Sequence, residues 1–256
     1  NLLGYKKKEI NLGQYDENNF NLEDCKTYIA DISQVEKVYD TTKELEKILK
    51  ILKINKKKTK IVDFGCGFGS AIQYLSSKYS DIQFYGYDKN KKIMDMAKAF
   101  TNKDNLNFVR ANFLLDRNIK LLKDVSCVIN IHTLCCFKNP EKFIKSIVRF
   151  KPKFVIIKSL FYNGPLNTFI HTTDLNEAKK ENIDGDLNIF SKKFILDLFK
   201  KDNYNLKLYK PFNMKKELKK KKYAGRSSYT IKFNNKLNTF TGPVYLPWGF
   251  MVLKRG

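Results

Sequence analysis

The chain contains short apolar runs that alternate with segments in which apolar positions recur about every three to four residues. Short apolar runs bounded by turn-forming residues are typical of buried β-strands, whereas the longer spacing is typical of helices with one buried face. The alternation begins near residue 59 and continues to the end of the chain. The predicted strands are 59–64, 82–87, 106–110, 125–131, 154–158, 204–209 and 246–254.

Helical segments fill the intervals between these strands. We predict helices at 69–79 and 90–100, a helix that begins at Pro140, and a helix capped by Ser191 that ends near residue 201. Proline favours the first turn of a helix and serine favours the capping position. Strands that alternate with helices form a parallel sheet covered on both faces, so the predicted fold class is α/β.

Residues 1–58 precede this pattern and are predicted to form an N-terminal helical extension. An apolar stripe at helical spacing predicts an amphipathic helix within 33–54. Aromatic residues lie upstream in polar sequence, as in a lid that closes over a ligand, although a simple tail has the same pattern. Residues 59–256 are predicted to form the main domain.

Two segments interrupt the repeat and are predicted to be insertions. Segment 159–190 follows the fifth strand and segment 211–245 follows the sixth; within the latter, 229–240 is predicted to form a hairpin that turns at Asn234 and Asn235. Long connections in compact domains are often functional, and loops after parallel strands build the ligand crevice. We therefore expect 159–190 to cap an acceptor site and 211–245 to form its second wall.

The formal net charge is +23, which raises the possibility of nucleic-acid binding. However, only five of the 49 basic residues are arginine, the residue that best recognises phosphates and base edges. A solvated lysine surface is therefore favoured over an RNA-binding face, and a surface that attracts a small phosphate-bearing molecule remains an alternative.

The five cysteines form neither an even set nor a C-x-x-C pair, so neither a disulfide framework nor a metal site is predicted. No apolar run reaches the roughly 18–20 residues of a membrane span. Residues 1–8 lack the apolar region of a signal peptide. These features predict a cytoplasmic protein without a membrane span.

The first strand ends in an acidic residue and a glycine-rich turn. Asp63 is followed by Gly65, Gly67 and Gly69 at alternate positions. Glycines at a strand-to-helix turn let a ligand lie against the backbone. The dinucleotide pattern G-x-G-x-x-G would need a third glycine where Ser70 stands, so this spacing argues against a nicotinamide-dependent dehydrogenase.

The D-x-G-x-G-x-G form resembles motif I of class I S-adenosylmethionine-dependent methyltransferases. Asp88, at the end of the second predicted strand, strengthens the resemblance, because a carboxylate there can accept hydrogen bonds from ribose hydroxyls. The resemblance implies a Rossmann-like fold with a seven-stranded, mostly parallel sheet whose last strand is antiparallel and pairs with the sixth at the edge. It also implies S-adenosylmethionine as cofactor and S-adenosylhomocysteine as product.

The resemblance implies a role for each part of the cofactor site. Asp63 would complement the ammonium group of the methionyl part, and Asp88 would bind the ribose. Asn112 stands where the family usually has an acidic residue that holds the adenine amino group, and Phe113 would cover the adenine ring. The expected cofactor-binding residues are Asp63, Gly65, Cys66, Gly67, Gly69, Asp88, Lys89, Asn112, Phe113 and Asn130.

The two histidines of the chain are candidate catalytic bases. His132 follows the fourth strand, where it could remove a proton from an alcohol acceptor near neutral pH, or could simply be hydrogen-bonded at a strand end. His171 lies in the expected cap, where Asp174 could orient it; a solvated loop is the alternative.

Segments 161–166, 188–191, 229–230, 241–243 and 246–248 resemble methyltransferases of bacterial surface-polysaccharide gene clusters. That resemblance implies capsule-type polysaccharide biosynthesis, with O-methylation of a sugar, a nucleotide-linked sugar or a phosphate-bearing precursor. The alternatives are an RNA or protein methyltransferase that uses the lysine surface, and a non-catalytic cofactor-binding partner. The N/D-P-P-Y/F motif of enzymes that methylate base amines is absent after the fourth strand, where the chain reads Asn130-Ile131-His132-Thr133.

Overall fold

The computed structural model describes residues 38–54, 59–112, 122–176, 181–220 and 228–256. The aromatic residues of the predicted lid therefore lie outside the described residues. The described α-helices are α1 (Asp40–Ile51), α2 (Ser70–Lys78), α3 (Lys91–Ala99), α4 (Pro140–Val148) and α5 (Lys192–Lys200). The described strands are β1 (Lys60–Phe64), β2 (Gln83–Asp88), β3 (Leu106–Arg110), β4 (Cys127–Ile131), β5 (Phe154–Tyr162), β6 (His171–Asn176), β7 (Glu181–Asp186), β8 (Phe190–Ser191), β9 (Tyr204–Pro211), β10 (Ser228–Phe233), β11 (Lys236–Thr241), β12 (Val244–Tyr245) and β13 (Trp248–Arg255).

The central sheet has the strand order β3-β2-β1-β4-β5-β13-β9. Its first five strands are parallel, and β13 runs antiparallel to both β5 and β9. This arrangement confirms the predicted α/β fold with an antiparallel last strand. The short strand β8 also pairs in parallel with the end of β5. The strand order reverses between β1 and β4, and ligands of such sheets bind at the carboxyl ends of the strands beside that reversal.

The sheet is buried on both faces. Neighbouring residues of a strand point to opposite faces, so Ile61 of β1 packs in the apolar cluster that includes α1, α2 and α3, while Val62 packs in the cluster that includes α4 and α5. Strands covered on both faces need nearly continuous apolar sequence. That need explains why the short apolar runs predicted these strands well.

Helix α1 occupies the second half of the predicted N-terminal extension and packs as part of the core. Leu45, Ile48 and Leu49 are at most 3% exposed and belong to the same apolar cluster as Ile72 and Leu75 of α2. This part of the segment therefore completes one helical layer of the domain.

Both predicted insertions contain hairpins. Strands β10 and β11 turn at Asn234 and Asn235, whose φ angles of 48° and 57° suit a two-residue turn, which confirms the predicted hairpin. In the earlier insertion, β5 continues to Tyr162, beyond its predicted end at 158, and β6 pairs with β7.

No helix in the described part of the chain is long and apolar enough to cross a membrane.

Candidate active site

The turn between β1 and α2 holds its three glycines in left-handed conformations. The φ angles of Gly65, Gly67 and Gly69 are 67°, 54° and 73°. A β-carbon on Gly65 would lie 2.5 Å from the Thr133 side chain, and one on Gly69 would lie 2.4 Å from the Phe108 ring. At Gly67 a β-carbon would meet no atom within 4 Å. Two of the glycines therefore serve internal packing, and Gly67 is the one that faces open space.

Asp63 is a buried acid without a described partner for one of its oxygens. The residue is 3% exposed, and its Oδ1 atom has no hydrogen-bond partner in the described structure. Burial raises the pKa of Asp63 well above its usual value, and the negative charge of Asp88 raises it further. A cationic ligand group beside Asp63 would relieve both effects.

Asp88 joins the glycine turn to the end of β2. Its Oδ2 atom accepts a hydrogen bond of 3.0 Å from the backbone N–H of Gly67, and its Oδ1 atom accepts one of 3.0 Å from the N–H of Asn90. A carboxylate oxygen can accept more than one hydrogen bond, so Asp88 keeps acceptor capacity for ligand hydroxyls.

Asn130 and Cys66 have structural contacts within the site. The Asn130 side chain is fully buried, donates to the carbonyl of Phe64 at 2.6 Å and accepts from the N–H of Leu134 at 3.2 Å. The Cys66 thiol contacts the carbonyl of Gly67, and burial raises the pKa of Cys66 well above its usual value. Both side chains shape the ends of β1 and β4.

The predicted adenine side of the site is described in part. Lys89 is exposed, and its carbonyl accepts a hydrogen bond from Arg110. Asn112 is half-buried and follows Ala111, whose N–H donates to the carbonyl of Asp88 at 2.9 Å. Phe113 lies outside the described residues.

His132 lies directly beside the glycine turn. It follows β4 with a φ of 65°, a left-handed conformation that residues other than glycine rarely adopt. The next residue, Thr133, donates from its hydroxyl to the carbonyl of Gly65 at 3.1 Å. The His132 ring packs on the Trp248 ring with centroids 4.5 Å apart. Strained conformations cluster at functional sites, and this one lies where the reversal of strand order places a ligand.

Lys158 is a site residue that the sequence analysis missed. It lies on β5, is 2% exposed, and its Nζ atom forms a direct contact with the Nε2 atom of His132. The signal in the sequence is a lysine inside the apolar run of 154–161. The predicted fifth strand ends at this residue, and no role is predicted for it.

Burial lowers the pKa of Lys158 to about 7. Desolvation of the ring lowers the pKa of His132 well below its usual value, and the neighbouring Lys158 ammonium lowers it further. His132 remains exposed towards the cleft, so solvent moderates the desolvation while the contact with Lys158 persists. Near neutral pH the imidazole of His132 is therefore uncharged.

His171 has an acidic neighbour in the described structure other than the predicted Asp174. The Nδ1 atom of His171 lies 3.0 Å from Oδ1 of Asp186, its cross-strand neighbour on β7, and Lys138 lies 3.7 Å from the same oxygen. The side chain of Asp174 lies outside the described residues, so its predicted role in orienting His171 stays a prediction. His171 and Asp186 of the β6–β7 hairpin therefore form a polar cluster with Lys138.

The sequence profile of a family described as "Methyltransferase domain" matches residues 62–153, from β1 to the residue before β5. The structure of an S-adenosylmethionine-dependent methyltransferase from Clostridium acetobutylicum superposes with a TM-score of 0.56 at 10% identity, covering 92% of this chain and 100% of that one. Magnesium protoporphyrin IX methyltransferase from Synechocystis with bound S-adenosylhomocysteine gives 0.54 at 13% identity, covering 95% and 90%. A putative sarcosine dimethylglycine methyltransferase from Galdieria sulphuraria gives 0.53 at 10% identity, covering 84% of each chain. No curated protein matches the sequence.

At these identities the structural likenesses establish the fold, which is that of class I methyltransferases. The region that matches this family carries the glycine turn, Asp88 and His132. The predictions of this fold and of S-adenosylmethionine as the cofactor are confirmed. The resemblance to surface-polysaccharide methyltransferases is not supported, because the similar structures are named for varied acceptors.

Proposed function

We propose that this protein transfers the methyl group of S-adenosylmethionine to a hydroxyl of a small molecule. The proposal rests on the buried Oδ1 atom of Asp63, which has no hydrogen-bond partner in the described structure, and on the open space at Gly67. Both residues lie in the region that matches a methyltransferase domain. When bound, this cofactor supplies an electrophilic methyl group on a positively charged sulfur.

The residues at the end of β1 and β2 fit this cofactor. Asp63 offers an unsatisfied buried oxygen to the cofactor's ammonium group, and Gly67 leaves the backbone accessible. Asp88 has acceptor capacity for the ribose hydroxyls while it holds the turn in place. Asn112, which follows the segment hydrogen-bonded to Asp88, would accept from the adenine amino group.

The acceptor side supports an oxygen nucleophile. An alcohol must lose its proton as its oxygen forms a new bond, and a neutral imidazole in the cleft can take that proton. His132 meets this need, because its lowered pKa keeps the ring uncharged and its strained turn fixes it next to the glycine turn. A sugar, a nucleotide-linked sugar or a phosphate-bearing precursor is the acceptor class that we propose, and the lysine-rich surface would attract an anionic one.

Cofactor binding provides the first test. Asp88→Asn should weaken the binding of S-adenosylmethionine in calorimetry by at least tenfold, which is about 1.4 kcal/mol, because the amide loses the charge and one acceptor. Asp95→Asn is the matched control, since Asp95 is an exposed residue of α3 that pairs with Lys91. Equal affinities of the wild type and Asp88→Asn would remove the ribose assignment.

A further inference from the structure

Lys158 occupies a chemically unusual place in the sheet. Its Nζ atom lies 4.2 Å from the ring centroid of Phe212 and 4.6 Å from that of Trp248. The Trp248 ring also packs on His132. The amine of Lys158 and the imidazole of His132 therefore both pack against the Trp248 ring.

Two contacts hold His132 to Lys158. The side chains meet through Nζ and Nε2, and the backbone N–H of His132 donates to the carbonyl of Lys158 at 2.9 Å. Among the described residues no carboxylate contacts the Lys158 amine. A buried ammonium without an acid costs folding free energy, and a methionine of similar length would fill the same space without that cost. A buried lysine that contacts a cleft histidine is therefore a candidate for a functional role.

The contact between two nitrogens constrains which of them carries the hydrogen. If Lys158 is an ammonium, it donates to Nε2, so a neutral His132 carries its own hydrogen on Nδ1. If Lys158 is a neutral amine, it can accept from Nε2–H, which leaves the lone pair of Nδ1 available as a base. The described structure shows no protein partner for Nδ1.

We propose that Lys158 is a positioning residue that sets the tautomer of His132, so that Nδ1 becomes a base only when the lysine is a neutral amine. The inference rests on the proposed function, in which His132 takes the proton of an acceptor hydroxyl. That proton adds to Nδ1, and the resulting imidazolium passes its Nε2 hydrogen to the Lys158 amine. The products of this transfer are a neutral His132 and a Lys158 ammonium, which then releases its proton to solvent.

The surroundings make Lys158 the group that titrates near neutral pH. Burial brings the pKa of Lys158 to about 7, while His132 stays neutral because its own pKa is well below the usual value. The titratable groups next to this pair are the thiols of Cys135 and Cys136, which contact the carbonyl of His132. The hydrogen bond with Cys136, together with burial, raises the pKa of Cys135 well above its usual value, so that this thiol adds no charge near neutral pH.

The tautomer of a histidine can be read from its two ring ¹⁵N shifts, and the two histidines of this chain make the spectrum simple. We would record these shifts on the full chain without cofactor or acceptor, with His171→Gln to leave a single signal. The expected result is a switch of His132 from the Nδ1–H form at about pH 6 to the Nε2–H form at about pH 8, centred within about one unit of the Lys158 pKa. A tautomer that stays the same across this range would overturn the proposal.

A comparison of two variants tests whether Lys158 causes the tautomer switch. Lys158→Met should abolish the switch, whereas Lys103→Met should retain it. Lys103 is the matched control because burial also lowers its pKa, and it contacts the carbonyl of Gln73 away from the cleft. A switch that survives in Lys158→Met would overturn the proposal. Because neither measurement needs turnover, failure of the tautomer switch and failure of methyl transfer are separate results.

Discussion

At the scale of single residues, the three glycines after β1 share a backbone requirement but differ in their surroundings. All three have positive φ, where any other residue is strained by about 1–2 kcal/mol. Gly69 also lies against the buried Phe108 ring, whereas Gly67 faces open space. The same motif therefore contains one glycine that is needed for packing and another that leaves open space beside the backbone.

Two alanine substitutions should separate these roles. Gly69→Ala should lower the free energy of unfolding by about 2–4 kcal/mol, because crowding of Phe108 adds to the backbone strain. Gly67→Ala should cost only about 1–2 kcal/mol, yet weaken S-adenosylmethionine binding, because its β-carbon enters the space left for the ligand. Urea unfolding and calorimetry measure the two effects. Equal destabilisation by both variants, or unchanged cofactor affinity in Gly67→Ala, would contradict this division.

Residue chemistry also explains what the sequence could not show at the site. The glycine spacing and Asp88 predicted where the proposed cofactor site lies, because those features are local in sequence. Lys158 was missed because its partners His132, Phe212 and Trp248 are distant in the chain, so that a lysine in an apolar run resembled a strand end. The pairing of His171 with Asp186 depends on the register of a hairpin that the sequence analysis did not predict.

At the scale of elements, α1 is held against α2 by apolar packing and by the hydrogen bonds of one buried acid. Glu46 is 6% exposed and accepts hydrogen bonds from the side chains of Tyr74, Tyr79 and Lys78. Burial by itself would raise the pKa of Glu46, but its hydrogen bonds outweigh that effect and lower the pKa to about 2. The charged form of Glu46 therefore stabilises the contact between the two helices.

The stability that Glu46 adds to the contact between α1 and α2 should be lost over a defined range of acidic pH. The stability from Glu46 is fully present above its unfolded pKa of 4.5 and is lost as the pH falls towards about 2. Glu46→Gln should lower the free energy of unfolding at pH 7 by about 1–3 kcal/mol, with the difference from wild type shrinking between about pH 4.5 and 2. Urea unfolding across this range measures the effect, with Glu141→Gln as the control for a more exposed acid that pairs with Lys145. A difference that does not change with pH would contradict the role of the charge.

The elements themselves were predictable to different degrees. The strands of the sheet follow from apolar runs, because strands covered on both faces have little choice of residue, and β3 was predicted at its observed bounds. The β6–β7 hairpin could not be predicted, since its polar sequence resembles a loop and its register depends on contacts outside the strand. The β10–β11 hairpin was predictable because two adjacent asparagines favour its turn.

At the scale of the whole molecule, the strand order places the glycine turn, the end of β4, Lys158 and Trp248 next to one another. The reversal of strand order next to β1 brings the glycine turn against the end of β4, as the hydrogen bond from Thr133 to Gly65 shows. The neighbouring β5 contributes Lys158, and β13 contributes Trp248. The proposed cofactor and acceptor sides therefore meet at His132.

The whole molecule also carries a large positive charge that consists mainly of lysine. Lysine binds anions as a point charge and lacks the planar fork with which arginine recognises phosphates and bases. This composition suits general attraction of a small anionic molecule better than sequence-specific reading of RNA.

The most direct test of the central claim is methyl transfer from isotopically labelled S-adenosylmethionine into a cell extract that is then separated into small metabolites, RNA and protein. We predict label in the small-metabolite fraction with the wild-type chain, and a rate lower by about 10²–10⁴ with His132→Gln. Label confined to RNA or protein would contradict the proposed acceptor class. Equal transfer by the wild type and His132→Gln would contradict the assignment of His132 as the base.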